Sequence, residues 1–176
     1  MATHKMFFAG LGGQGIMLMG QMVGSAAIHE DKEATFFPSY GPEMRGGTAN
    51  CTVIVSDKPI SNPVISESDC VVAMTLPSLL KFEPTLKPGG TLFVNTSMIF
   101  QAPKRSDITI YEIPVSDMAG DLGNPRVANI IMLGAFVRKT GIVSAQSMEK
   151  VIHEVFGESK AELLDLELKA FNHWNN

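Results

Sequence analysis

The chain has 176 residues, of which 45% are hydrophobic and 18% are charged, and its formal net charge is −4. These values are ordinary for one globular domain with a buried core, and the scattered basic residues argue against nucleic-acid binding. Apolar runs are interrupted well before the roughly 18 residues that a membrane span needs. No cleavage site for a secretory signal is visible, because the first apolar stretch leads into glycines. We therefore expect neither a membrane segment nor secretion.

The cysteines and histidines give no sign of a metal or iron–sulfur centre. The sequence has two cysteines, Cys51 and Cys70, whereas an iron–sulfur cluster usually takes about four thiolates. The two cysteines form no C-x-x-C pair, and the four histidines lack ligand spacing. We expect two buried thiols in a reducing cytoplasm, and no metal site.

The first predicted strand leads into a glycine-rich turn and then a helix. Residues 5–9 (KMFFA) predict a short buried strand, and residues 15–30 predict a helix that is apolar on nearly every side. The turn between them contains the pattern G-x-G-x-x-G with one additional glycine. The residues of this glycine turn are Gly10, Gly12, Gly13, Gln14 and Gly15.

A glycine turn between a strand and a helix can bind an anion, because its backbone approaches a ligand closely and the helix start offers free N–H groups. A conventional NAD or FAD site also needs an acidic residue at the end of the second strand, to hold a ribose. The second predicted strand, residues 33–37, is followed by Pro38 and Ser39. The nearest acids, Asp31 and Glu33, lie at its other end. A phosphate of another kind, a dinucleotide and a purely structural turn all stay open.

A second unusual segment, residues 38–51 (PSYGPEMRGGTANC), has two prolines and three glycines and is predicted to be irregular. It follows a strand, and α/β folds carry their sites in loops at the carboxyl ends of strands. Tyr, Met and Arg are enriched at the buried centres of interfaces, although the charges here can also be simply solvated. The segment holds no activated nucleophile and no acid pair, so we expect no catalytic residue. The residues expected at an interface or active-site rim are Tyr40, Glu43, Met44, Arg45, Thr48 and Asn50.

The rest of the chain alternates between predicted strands and helices. Further strands are predicted at residues 50–56, 70–74, 86–95 (after an initial turn) and 108–113. Further helices are predicted at residues 77–82, 125–140, 148–156 and 159–174. Asn124 and Gly141 are the expected caps of the helix at residues 125–140. The alternation predicts an α/β fold, a Rossmann-like, mostly parallel sheet flanked by helices, in a single domain over residues 1–176.

Five segments, in order, resemble the gamma subunit of 2-oxoacid:ferredoxin oxidoreductases. They are GLGGQGI (10–16), FPSYGPEMRGGTANC (37–51), VSDKPI (55–60), LKPGGTLFVN (86–95) and NPRVANIIMLGAF (124–136). The likeness spans nearly the whole chain, and the second segment is its most specific part. The segment SYGPEMRGGTAN resembles the corresponding segment of the family members that act on 2-oxoglutarate and branched-chain oxoacids.

The resemblance implies a cytoplasmic complex that decarboxylates a 2-oxoacid, passes two electrons to ferredoxin and forms an acyl-CoA. Thiamine diphosphate, Mg²⁺ and the iron–sulfur cluster would belong mainly to alpha, beta and delta-type subunits. This chain would bind no cofactor tightly and would be inactive alone, and the glycine turn would hold a phosphate of coenzyme A (CoA). The alternatives are a stand-alone nucleotide- or SAM-binding Rossmann-like enzyme and an interaction module without a ligand.

Overall fold

The computed structural model describes residues 2–40 and 48–176, with Tyr40 described by its backbone alone. In this part of the chain six strands form one sheet in the order β2-β3-β1-β4-β5-β6. The strands are β1 (Thr3–Leu11), β2 (Glu33–Tyr40), β3 (Thr48–Ser56), β4 (Ser68–Ala73), β5 (Leu86–Asn95) and β6 (Thr109–Ile113). Strands β1, β4, β5 and β6 pair in parallel, whereas β3 pairs antiparallel with both β1 and β2. The prediction of a mostly parallel α/β sheet is therefore confirmed.

Helices cover both faces of the sheet. They are α1 (Ile16–His29), α2 (Leu76–Phe82), α3 (Val115–Asp121), α4 (Ala128–Thr140), α5 (Ala145–Phe156) and α6 (Ala161–Phe171). Short 3-10 helices occupy Glu83–Thr85 and Pro125–Val127. Met6 and Phe8 of β1 face the larger core, which is built with α1 and α3 to α6, whereas Phe7 faces the smaller core under α2. Burial on both faces explains why the central strands are continuously apolar.

Two local predictions were wrong, and one helix was missed. Strand β2 was expected to stop before Pro38 but continues to Tyr40, which is possible because β2 lies at the sheet edge and proline interrupts no inner ladder there. A turn was expected at the start of residues 86–95, but these residues belong to β5. The pairing of β5 with β4 shifts in register between Ser68 and Cys70. Helix α3 was not predicted, because its seven residues are too few to show a helical apolar period.

The glycine turn and the described residues at both ends of the segment 38–51 lie near the carboxyl end of β1. Leu11, at the end of β1, is opposite Thr48 of β3, and Gly10 is opposite Ala49. Ala49 is in turn opposite Tyr40, the last residue of β2. The fold thus brings two distant sequence motifs side by side. The predicted interface residues Glu43, Met44 and Arg45 lie outside the described residues.

A buried carboxyl group makes the stability of this fold depend on pH. Glu167 of α6 is 6% exposed, and its Oε2 has no hydrogen-bond partner among the described residues. Burial raises the pKa of this carboxyl from 4.5 to about 7. Because the pKa is higher in the folded state, the native chain keeps a proton that the unfolded chain has lost. The free energy of unfolding therefore falls as pH rises from 4.5 to about 7 and then levels off.

We predict that Glu167→Gln removes this loss, on the order of 1–3 kcal/mol, because the amide stays neutral throughout. The measurement is the thermal unfolding midpoint of both proteins between pH 5 and pH 8. The matched control is Glu162→Gln, which changes an exposed carboxylate in the first turn of the same helix. Parallel pH profiles for the wild type and Glu167→Gln would show that Glu167 does not titrate in this range.

Candidate functional site

The glycine turn has a backbone that only glycine adopts easily. Gly13 has φ 90° and Gly15 has φ 73°, both in the left-handed region. Gly15 is the N-cap of α1, with no side-chain cap and no acidic residue in the first turn. The N–H groups at the helix start are therefore not neutralised by a carboxylate of their own helix. Gly12 and Gly13 are exposed beside them.

Two side-chain amides hold this turn. Oε1 of Gln14 accepts a hydrogen bond of 2.7 Å from the N–H of Leu11, while the N–H of Gln14 donates to the Leu11 carbonyl at 3.2 Å. Asn129 of α4, which is 5% exposed, directs Nδ2 at the Gly15 carbonyl, 3.4 Å away. The turn is thus fixed to β1 on one side and to α4 on the other. That Gln14 also contacts a ligand stays a prediction.

The turn forms one wall of a cleft of about 250 Å³. The residues that line this cleft are Gly13, Gln14, Met74, Ser116, Pro125, Arg126 and Ala128. Strands β1 and β4 are neighbours in the sheet. The strand that follows β1 in the chain, β2, lies on one side of this pair, and the strand that follows β4, β5, lies on the other side. Such a switch point, at the carboxyl ends of the strands, is the usual ligand site of open α/β sheets.

Arg126 gives the cleft a positive charge. It is exposed in the short helix Pro125–Val127, and its N–H donates to Oδ1 of Asn124 at 3.0 Å, as expected of the predicted cap. Within residues 2–40 and 48–176 its guanidinium takes part in no ion pair. None of the described residues lining the cleft is acidic. The arrangement therefore favours an anionic ligand.

Sequence reasoning missed Arg126 as a site residue. The segment NPR was assigned only to the start of a helix, although a cation beside a helix cap is a signal that could have suggested a ligand contact. The glycine turn and Arg126 meet only through the packing of α1 and α4 on the sheet, which no local pattern encodes.

Polar contacts fix the floor of the cleft. Asn95, at the end of β5, is fully buried, and its Nδ2 donates to the Ser116 hydroxyl at 3.0 Å and to the Met74 carbonyl at 3.4 Å. Its Oδ1 accepts from the N–H of Ser97 at 3.2 Å. One side chain thus joins the ends of β4 and β5 to α3. A buried polar group satisfied in this way holds the surrounding backbone in one arrangement.

The described part of the second segment lies next to the glycine turn. Thr48 is opposite Leu11, and Asn50, which is 9% exposed, is opposite Ala9. Backbone pairing places Tyr40 one strand further out. The pairing supports a common site at this edge, while the role of each side chain stays a prediction.

The thiols are not available as nucleophiles near neutral pH. Cys51 and Cys70 are both free and buried, and burial raises the pKa of the Cys51 thiol to about 12 and that of Cys70 even further above its usual range. Across residues 2–40 and 48–176, no group of three or more His, Cys, Asp or Glu side chains could hold a metal ion. In the same residues, no helix has the length and apolar character to cross a membrane.

The chain matches the family described as pyruvate ferredoxin/flavodoxin oxidoreductase over residues 5–173. It belongs to this family. The recognition of an oxoacid:ferredoxin oxidoreductase chain from its motifs is therefore confirmed.

Similar proteins are named as subunits of 2-oxoglutarate synthase, ketoisovalerate oxidoreductase and keto/oxoacid ferredoxin oxidoreductase. The chain is 41% identical over 147 residues to the 2-oxoglutarate synthase subunit KorC of Methanocaldococcus jannaschii, covering 82% of this chain and 79% of that protein. It resembles the crystal structure of the keto/oxoacid ferredoxin oxidoreductase gamma subunit of Geobacter sulfurreducens, with a TM-score of 0.85 and a sequence identity of 33%. The alignment covers 97% of this chain and 93% of that subunit. The ketoisovalerate oxidoreductase subunit VorA of Methanothermobacter marburgensis is 32% identical over 92% of this chain but only 34% of its own length.

The close contact at Gly15 gives a direct test of the turn. A Cβ at Gly15 would overlap Nδ2 of Asn129, whereas a Cβ at Gly13 would meet no atom of the described residues within 4 Å. Both alanine substitutions impose left-handed strain of about 1–2 kcal/mol, but only Gly15→Ala adds a clash. We predict a larger fall in the thermal unfolding midpoint for Gly15→Ala than for Gly13→Ala. Equal losses would mean that Asn129 gives way without cost and does not fix the turn.

Proposed function

We propose that this chain is the gamma subunit of a 2-oxoacid:ferredoxin oxidoreductase that acts on 2-oxoglutarate and forms succinyl-CoA, CO₂ and reduced ferredoxin. The observation that carries the proposal is the 41% identity to the 2-oxoglutarate synthase subunit KorC over most of both chains. The segment SYGPEMRGGTAN supports the same substrate, because it resembles the 2-oxoglutarate and branched-chain versions. No catalytic residue is assigned to this chain.

The proposed partners are alpha, beta and delta-type subunits and, through the complex, ferredoxin. Thiamine diphosphate, Mg²⁺ and the iron–sulfur cluster would be held mainly by those subunits, since two buried thiols cannot supply the four ligands that a cluster usually takes. The match to one third of VorA supports a chain that works in association with further polypeptide. The proposed location is the cytoplasm, where free thiols are stable.

A stand-alone nucleotide- or SAM-binding enzyme is not favoured. In such enzymes the second strand lies beside the first and ends in a ribose-binding acid. Here β3 separates β2 from β1. The acid that begins β2, Glu33, is opposite Ser56, which is paired with Thr3 at the other end of β1. Among residues 2–40 and 48–176, the glycine turn therefore has no acidic partner for a ribose at the end of β2.

We further propose that the glycine turn, Gly10–Gly15, binds a phosphate of CoA. The free N–H groups at the start of α1 and the exposed backbone of Gly12 and Gly13 suit a pyrophosphate. Arg126, across the cleft, supplies a matching charge. The neighbouring segment would form the rim of the shared active site or the subunit interface, through Tyr40, Glu43, Met44, Arg45, Thr48 and Asn50.

The first test is whether the chain acts alone. We predict that the purified chain, given 2-oxoglutarate, CoA, thiamine diphosphate, Mg²⁺ and an artificial electron acceptor, shows no turnover. The same assay on the complex purified from the native host is the control and should show CoA-dependent reduction of the acceptor. Turnover by the isolated chain would contradict the proposed role as a non-catalytic subunit.

The second test concerns the phosphate site in the assembled complex. Arg126→Ala removes a charge-assisted hydrogen bond, so the KM for CoA should rise about 10- to 100-fold. Gly12→Val should act in the same direction by blocking close approach of the phosphate. The KM for 2-oxoglutarate should change little, and Lys150→Ala, which removes an exposed cation from α5, should change neither constant. Unchanged CoA kinetics in well-folded Arg126→Ala and Gly12→Val complexes would reduce the glycine turn to a structural feature.

A further inference from the structure

Asn129 is a buried polar residue in a helix that is otherwise mostly apolar. It is the second residue of α4, in an apolar helix whose neighbours Ile130 and Ile131 are core residues, yet it carries a buried carboxamide. Its Oδ1 accepts a hydrogen bond of 3.0 Å from the N–H of Ile130, and its Nδ2 points at the carbonyl of Gly15, 3.4 Å away. Burying such a group costs free energy unless both of its ends are used.

The contact joins the two halves of the proposed phosphate site. Gly15 ends the glycine turn and begins α1, whereas Arg126 lies one helical turn before Asn129, at the entrance of α4. A Cβ at Gly15 would overlap the Asn129 amide, so the backbone of the turn rests directly on this side chain. Asn129 thereby connects the glycine turn to the helix start that follows Arg126.

We propose that Asn129 is a positioning residue for phosphate recognition: it holds Gly15 against the start of α4 so that the turn and Arg126 face one phosphate group. This inference rests on the proposed function, since it assumes that the cleft receives a phosphate of CoA. Asn129 itself lies behind the turn and is not among the residues that line the cleft.

The test uses the assembled complex and two thiol substrates, CoA and pantetheine, which carries the same thiol arm without phosphate. Asn129→Leu keeps the branching of the side chain at Cγ and removes both polar contacts. We expect kcat/KM for CoA to fall about 10-fold while kcat/KM for pantetheine stays within about 2-fold of the wild type. Asn129→Ala provides the same comparison if leucine prevents assembly, which size-exclusion chromatography reports. A merely structural role would lower both values together, and that outcome overturns the inference.

Arg126→Ala in the same assay distinguishes a failure of the positioning role of Asn129 from a failure of the proposed phosphate site. If Arg126→Ala is selective for CoA over pantetheine and the Asn129 variants are not, the phosphate site stands and the positioning role of Asn129 is wrong. If neither variant is selective, the phosphate site itself is wrong, and the inference falls with it. If both are selective, the double variant Arg126→Ala/Asn129→Leu should lose less than the product of the single losses, because the two residues act on one group. Independent, multiplicative losses in the double variant would also contradict the inference.

Discussion

The contact between Gly15 and Asn129 is the constraint on which the rest of the site depends. A left-handed glycine caps α1, and no larger residue fits there because the Asn129 amide occupies the space of a Cβ. The start of α1 and the start of α4 are thereby held together at one edge of the sheet. Gly13, Gln14 and Arg126, which lie beside these two helix starts, line the same cleft.

Electrostatics and topology then favour the same type of ligand. The start of α1 carries a partial positive charge with no acid of its own to offset it, and Arg126 adds a full one. The cleft lies where the chain turns to opposite sides of the sheet, and Asn95 fixes its floor with three hydrogen bonds. An anion with several oxygens can use backbone and side-chain donors together. The proposed acyl-CoA-forming reaction would make a phosphate of CoA available to this site.

Local patterns in the sequence were sufficient for most of the fold. Continuous apolar runs identified the central strands. Asn124 and Gly141 marked the ends of the helix predicted at residues 125–140, whose first turn is the 3-10 helix Pro125–Val127. The strand order was not readable, because nothing local states that β3 runs antiparallel between β1 and β2. The glycine turn was identified from its motif, but Arg126 and Asn129 were not identified as site residues. Their importance arises from packing between distant segments, which appears only when the two helices meet.

The most direct measurement is hydrogen–deuterium exchange of the assembled complex with and without CoA, read at two peptides of this chain. One peptide covers the glycine turn and the start of α1, and the other covers residues 124–130. We predict that CoA slows exchange in both peptides, because a bound phosphate would engage the free N–H groups of the turn and close the cleft against Arg126. The peptide spanning α5, which pairs with the opposite end of α1 through His29 and Glu154, should be unaffected. Protection confined to other subunits, with both peptides unchanged, would contradict the claim that this chain recognises a phosphate of CoA.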